Sequence, residues 1–280
     1  MSKVIFFGTP NYVIPVLEAL KKTGHDIVAV VTQPPKPVGR RKILTPSPVE
    51  IWAKKNGVKV LNKHRDLNEL SPEVGVLASY GKIVTKEVLD IFPKGIINIH
   101  PSLLPKWRGA CPVQEQILAG EKNLGISLMV VDEQMDHGPI LEQQVVEIGS
   151  SDTQQSLLVK GFKIGAQMLV KILPLYVERR IIPNEQDHSK ATYTYKTMES
   201  KNKAYFDIDN PPNAAQLDQM IRAFYPWPIA WTIWKRDTTH GKRDTIIKFF
   251  PGKKIQIEGK NPVNYEEFLQ AYPDFPLKVG

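Results

Sequence analysis

The sequence predicts an α/β fold: a mostly parallel sheet with helices on both faces, followed by a small β-rich module. Three observations carry this. Short apolar runs alternate with stretches whose apolar residues recur at helical spacing from Val4 to Leu173, and such alternation builds parallel sheets buried on both sides. After a polar, irregular stretch from Ile182 to about Ala204, the pattern changes to strand-like runs separated by Pro and Gly. With 280 residues, 42% of them hydrophobic, the chain can fill one large core and one small one.

Taken in order, Val4–Phe7 is a short strand closed by Gly8, and Tyr12, Val13, Val16, Leu17 and Leu20 then follow at helical spacing. Ile27–Thr32 is a second strand, and the Pro-rich stretch Thr32–Val49 reads as a loop. Val49, Trp52 and Ala53 open a helix before a third strand at Lys59–Leu61. Val74–Ser79 is strand-like, Lys86–Ile91 helical, and Ile96–His100 a strand that must stop at Pro101, which has no N–H for a ladder. Gln114–Leu118 belongs to a helix, and Gly125–Val131 and Gln144–Glu147 are further strands. S-S-D-T at Ser150–Thr153 supplies N-capping residues for a long helix carrying Leu157, Leu158, Phe162, Leu169 and Leu173. Beyond Tyr205 come a helix at Ala214–Phe224, a P-W-P corner, strands at Ala230–Lys235, Thr245–Phe250 and Lys254–Glu258, and a last helix at Tyr265–Tyr272. Trp227, Trp231 and Trp234 are expected to form the core of this module. The expected domains are residues 1–187 and 205–280, joined by a linker at 188–204.

Composition narrows the setting. No run approaches the roughly 18 apolar residues of a membrane span, and M-S-K-V-I-F-F-G lacks a signal-peptide layout. The single Cys111 excludes an internal disulfide and suits the cytoplasm; packing is its expected role. The net charge of +8 is concentrated in Arg40-Arg41-Lys42 and in eight basic against three acidic residues between Lys235 and Lys260. Such patches suit a polyanionic partner or are ordinary solvated surface.

Ligands of open α/β sheets bind at the carboxyl ends of the strands, where Gly8, Ser79-Tyr80 and Asn98–His100 fall. Asn98 and His100 stand two apart in G-I-I-N-I-H, so both project from one face of a strand. Asp136 lies 36 positions after His100 in a turn closed by Gly138 and Pro139. Each alone is an ordinary strand-end or turn residue. Together an amide, an imidazole and a carboxylate make an acyl-transfer site, in which the first two hold an oxyanion and the third orients the imidazole. The first turn, F-G-T-P-N-Y, lacks the further glycines of a dinucleotide-binding G-x-G-x-x-G.

The string N-x-H-P-S-L-L-P-x-x-R-G-A-x-P, followed by D-x-G-P-I-L, resembles the folate-dependent formyltransferases. F-F-G-T-P at Phe6–Pro10, T-Q-P-P-K-P-V-G-R-R-K at Thr32–Lys42, A-S-Y-G-K-I-V at Ala78–Val84, Q-D-H-S-K-A-T-Y-T at Gln186–Thr194 and I-R-A-F-Y-P-W-P at Ile221–Pro228 resemble the branch that formylates methionyl-tRNA. The resemblance implies a Rossmann-like catalytic domain and a partial OB-like C-terminal domain. It implies Asn98, His100 and Asp136 as catalytic residues and 10-formyltetrahydrofolate as co-substrate, with no metal. Ser79, Tyr80, Gly81, Ser102, Leu103, Leu104, Pro105 and Met135 match its folate-contacting positions. Its implied partner is initiator methionyl-tRNA, met by Arg40, Arg41, Lys42, Arg108, Lys235, Arg236, Lys242 and Arg243, with the enzyme a monomer. Pro35, Ile229 and Cys111 depart from the usual residues of these motifs, and the C-terminal module is shorter than the family's small β-barrel. That shortening bears on the acceptor, for which an amino-sugar nucleotide is the alternative. A non-catalytic RNA- or nucleotide-binding protein is the reading from another class.

Overall fold

Strand β1, Lys3–Gly8, is buried at every position after Lys3. Successive strand residues point to opposite faces, so the sheet is covered on both sides at its centre. The computed structural model describes residues 2–39, 41–64, 66–194, 200–238 and 241–277. Parallel to β1 on either side lie β2 (Asp26–Val31) and β6 (Val74–Ala78). β5 (Lys59–Leu61) extends the sheet beyond β2, and β7 (Ile96–His100) beyond β6, both again parallel. β8 (Asn123–Val130) then reverses direction against β7, pairing His100 with Ser127 and Asn98 with Met129. With β9 (Ile140–Glu147) at the edge, the order is β5-β2-β1-β6-β7-β8-β9.

The helices between these strands follow local signals. α1 (Ile14–Lys22) buries Val16, Leu17 and Leu20, the i, i+1, i+4 stripe of an amphipathic helix. α2 (Pro48–Lys55) starts where Ser47 Oγ accepts from Glu50 N at 3.0 Å, with Pro48 at the first helical position. α3 is shorter than its pattern, Lys86–Leu89. α4 (Pro112–Leu118) again begins on Pro, and α5 runs Gln154–Val177. The Pro-rich stretch is not a plain loop: β3 (Lys36–Val38) and β4 (Ile43–Thr45) form a two-stranded antiparallel hairpin. Prolines suggested a loop, yet Pro37 is tolerated because a two-stranded ribbon has an edge on either side. Gly39 and Lys42, at φ of 71° and 49°, turn the chain between the strands.

The chain divides into two compact units. One comprises residues 1–109, 123–146 and 158–193; the other 110–122, 147–157 and 194–280. In the second, α4 packs against α7 (Ala214–Ala223), after a short α6 (Ser200–Lys203). Its sheet is antiparallel, in the order β10 (Ala230–Thr238), β11 (Gly241–Phe250), β12 (Lys254–Ile257), β13 (Val263–Asn264), and α8 (Tyr265–Ala271) follows. The core is Phe206, Leu217, Trp234, Phe249, Phe268 and Phe275 among others. Of the three tryptophans expected there, only Trp234 is in it. Trp227 is 55% exposed, beside a cis Trp227–Pro228 bond, and Trp231, half-buried, gives its indole N–H to Lys201 O. Phenylalanines fill the space instead: Phe268 and Phe275 meet edge to face, as do Trp234 and Phe275.

Asn213 starts α7 with a reciprocal cap, accepting from Gln216 N at 2.9 Å while Gln216 Oε1 accepts from Asn213 N at 3.1 Å. Asn213→Ala is expected to cost about 1 kcal/mol, read as a lower urea midpoint, and Asn213→Asp to retain most of it. Equal midpoints for Asn213→Ala and the natural chain would show the cap to be idle.

Candidate active site

All five residues of β7 are buried, including the two polar ones. Asn98 and His100 are 7% and 5% exposed; buried polar groups at these positions need partners. Asp136 supplies them. Asn98 Nδ2 donates to Asp136 Oδ1 at 3.4 Å, and His100 Nδ1 stands 3.6 Å from the same oxygen. The other imidazole nitrogen, Nε2, lies 3.1 Å from Trp107 O, a carbonyl that only accepts. Nε2 is therefore a donor, and both ring nitrogens face acceptors. Asp136 Oδ2 accepts from Gly109 N at 2.7 Å. The carboxylate sits on a turn at φ 50°, a left-handed conformation that Asp tolerates better than most residues.

The segment after the site histidine is pinned by side chains that periodicity did not reveal. Ser127, opposite His100 in the ladder, donates to Ser102 O at 2.6 Å and accepts from Leu104 N at 3.2 Å. Gln143 Nε2 reaches Leu104 O at 2.9 Å and Ser127 Oγ at 2.8 Å. Ser102 itself is fully buried and donates to Lys106 O at 2.8 Å. Leu104 is buried, Leu103 and Pro105 half-buried, and the Leu104–Pro105 bond is cis. Gly125 permits this approach: a Cβ there would lie 2.1 Å from Leu103 N.

Ser79 and Gly81 take positive φ at the end of β6, and between them Tyr80 is turned inward at 1% exposure. Its hydroxyl lies 2.9 Å from His64 Nε2, and burial pushes the phenol above its ordinary value. Its carbonyl accepts from Thr9 Oγ1 and Gln33 Nε2, at 3.3 and 3.4 Å. His64 is held below the usual imidazole range, first by burial and then by Lys82. Met135 is 58% exposed beside Asp136.

The expected basic contacts divide. Arg41 and Lys42 are exposed at the hairpin turn, beside Val38, Ile43 and Leu44, each more than half exposed; Arg40 lies outside the described residues. Lys235 and Arg243 are exposed on β10 and β11, while the side chain of Lys242 is outside the described ones. Arg236 sits 5.3 Å over the Tyr272 ring, whose hydroxyl accepts from Lys260 Nζ at 3.0 Å; that bond and the two cations lower the phenol. Arg108 is the correction. It is 1% exposed, so it cannot reach an external phosphate, and its guanidinium is drawn inward by Gln186, His188 and Tyr193. Among the described residues, no group of three His, Cys, Asp or Glu could hold a metal, and no helix is long and apolar enough to cross a membrane.

Sequence reading thus misses Trp107, Gly109, Ser127, Gln143, Gln186 and Thr192. Gly109, in the R-G-A motif, Gln186 and Thr192, in the stretch Q-D-H-S-K-A-T-Y-T, and Ser127, once β8 is registered against β7, carried a usable signal.

Comparison with known proteins agrees with this architecture. The formyl transferase family, by its N-terminal domain, matches residues 2–173. A methionyl-tRNA formyltransferase of Chloroflexus aurantiacus is 45% identical over 241 residues, covering 83% of this chain and 76% of that protein. Among solved structures, a methionyl-tRNA formyltransferase from Clostridium thermocellum matches with a TM-score of 0.62 at 17% identity, over 94% of this chain and all of the other. A sugar N-formyltransferase from Shewanella matches with a TM-score of 0.66 at 18% identity, over 90% and 98%. At those identities the structures speak for the fold alone.

Gly125→Ala is expected to push Leu103 away from β8, at about 1–3 kcal/mol of stability for an overpacked site. The checks are the urea midpoint and faster amide exchange at Leu104, whose N–H is held by Ser127. Unchanged exchange at Leu104 would mean that Gly125 does not place the segment.

Proposed function

The chain belongs to the formyl transferase family, and on that premise we propose that it moves the formyl group of 10-formyltetrahydrofolate onto the α-amino group of methionyl-tRNA. The observation that carries the proposal is the meeting of Asn98, His100 and Asp136 around one carboxylate oxygen, from stretches of chain 36 residues apart. The methionyl-tRNA acceptor is supported by the relative that is 45% identical, against the far more distant sugar enzyme.

A free α-amino group titrates near about 7.7–8.0, so much of it is already neutral and the site's task is placement and charge stabilisation. As the amine nitrogen bonds the formyl carbon, the carbonyl oxygen gains negative charge. The second N–H of Asn98 Nδ2 donates to it, and His100 does so by exchanging the Trp107 carbonyl for the oxyanion; Asp136 holds the imidazole's other edge. When the bond from the formyl carbon to the folate nitrogen breaks, the proton lost by the amine returns to that nitrogen, with Asp136 and water as the path. Ser79–Gly81 and the segment Ser102–Pro105, held rigid by Ser127 and Gln143, are assigned to the folate. Arg41, Lys42, Lys235 and Arg243 are assigned to RNA phosphates, which set affinity without reading bases. Acting on charged tRNA, the enzyme would work in the cytoplasm, as a monomer.

The deciding assay offers 10-formyltetrahydrofolate with charged initiator tRNA beside amino-sugar nucleotides; a preference for the sugar would replace the tRNA reading. Asp136→Asn, His100→Ala and Asn98→Ala are each expected to lower kcat by roughly 10²-fold or more with folding intact. Near-full turnover by Asp136→Asn would remove it from the mechanism.

A second expectation concerns the hairpin. Arg41→Ala with Lys42→Ala should raise KM for tRNA and flatten its salt dependence, leaving KM for folate unchanged. A change in the folate KM alone would make the hairpin part of the donor site instead.

A further inference from the structure

Residues 184–194 follow α5 in a polar stretch without periodicity, yet they grip the turn that carries Asp136. Asn184 and Ile140 exchange both backbone hydrogen bonds, at 2.7 and 2.8 Å. Gln186 is 5% exposed, and its Nε2 donates to Asp136 O at 3.0 Å and to Gly138 O at 2.7 Å. Its Oε1 accepts from Arg108 Nη2 at 2.6 Å. The amide can face only this way: reversed, its NH₂ would meet a guanidinium and its oxygen two carbonyls. Farther along, Thr192 accepts from Trp107 N through its hydroxyl and from Arg108 N through its carbonyl, both at 2.9 Å. Trp107 in turn takes the His100 Nε2 bond, and Gly109 donates to the Asp136 carboxylate.

We infer that Gln186, backed by Arg108, is a positioning residue for Asp136, which keeps that residue's left-handed backbone and so the direction of its carboxylate. This rests on the reading of Asp136 as catalytic. One amide bridging the carbonyls of residues 136 and 138 spans His137 and fixes the direction in which the chain leaves the positive-φ residue Asp136; without the bridge the turn is free to relax toward commoner conformations. Arg108 strengthens the bridge. Among the described residues it makes no ion pair with a carboxylate, and its bonds go to Gln186 Oε1, His188 Nδ1 and the Tyr193 hydroxyl, with Nε unpartnered. A buried charge compensated only by neutral acceptors polarises them, and the Gln186 amide passes that polarisation to the two N–H bonds it donates. The same arginine precedes Gly109, so residues 108–109 hold Asp136 from both its main chain and its side chain.

The test is Gln186→Met, which fills similar space without donors, assayed for formylation alone and combined with Asp136→Asn. Alone it is expected to lower kcat roughly ten- to a hundredfold, the scale of a misplaced catalytic group, with KM for both substrates unchanged and cooperative unfolding retained. In the Asp136→Asn background it should produce little further loss, because the group it positions is already gone. Wild-type kcat in Gln186→Met while Asp136→Asn is impaired would overturn the inference and spare the catalytic reading. So would equal losses in both backgrounds, the mark of a general structural effect. Near-full activity of Asp136→Asn would bring both down. Should Gln186→Met not fold, Gln186→Glu keeps the acceptor for Arg108, removes the donor to the two carbonyls, and carries the same expected and overturning results.

Discussion

Asp136 is asked to do two things that oppose each other: to lie largely buried, and to adopt a backbone conformation that disfavours side chains. A non-glycine residue in the left-handed region costs on the order of 1–3 kcal/mol, sustained only where the surroundings over-determine it. Here they do. Gly109 N–H and Asn98 Nδ2 satisfy the carboxylate, and Gln186 ties down the carbonyls on either side of His137. Gly138 lets the turn lie flat on the end of β8, since a Cβ would come within 2.0 Å of Val130 O. The glycine two positions after Asp136 is a geometric requirement of that carboxylate.

The reversed strand serves the same end. Five parallel strands deliver β7 with its polar residues toward the site edge. A sixth parallel strand would begin at the opposite edge. By running back against β7, β8 sets Ser127 beside His100 and Gly125 beneath Leu103. The chain leaving β7 is thereby clamped within a few residues of the imidazole. His137 and His188 add a stacked pair, 3.9 Å between ring centres, joining the Asp136 turn to the polar segment that follows α5.

What could be read in the sequence followed periodicity and stop signals. Ile96–His100 came out at its observed ends because the apolar run is bounded by Gly95 and Pro101, and the spacing of Asn98 and His100 put both on one face. The hairpin at Lys36–Thr45 was hidden: its strands are three residues long and Pro37 argues for a loop, while its cross-strand pairs lie within an exposed ribbon. Arg108 looked like a surface cation because nothing local marks it as buried; its partners Gln186, His188 and Tyr193 lie some eighty positions away. Gln186–Thr194 stood out as a motif, but its grip on the Asp136 turn was invisible for the same reason. Gln186 and Thr192 bond to backbone carbonyls and amides, and any sequence presents those.

The division into units has a consequence for the order in which this chain is made. The second unit draws on residues 110–122 and 147–157 as well as 194–280, and α4 packs against α7, nearly a hundred positions later. A ribosome extending the chain by roughly 5–20 residues per second exposes α4 several seconds before its partner exists. In that interval α4, whose Val113, Gln114, Gln116 and Ile117 are all buried in the finished protein, lacks the helix it packs against. The N-terminal sheet can close over its own core meanwhile, but the helix leaving Gly109, the residue that anchors the site carboxylate, waits for the last third of the chain.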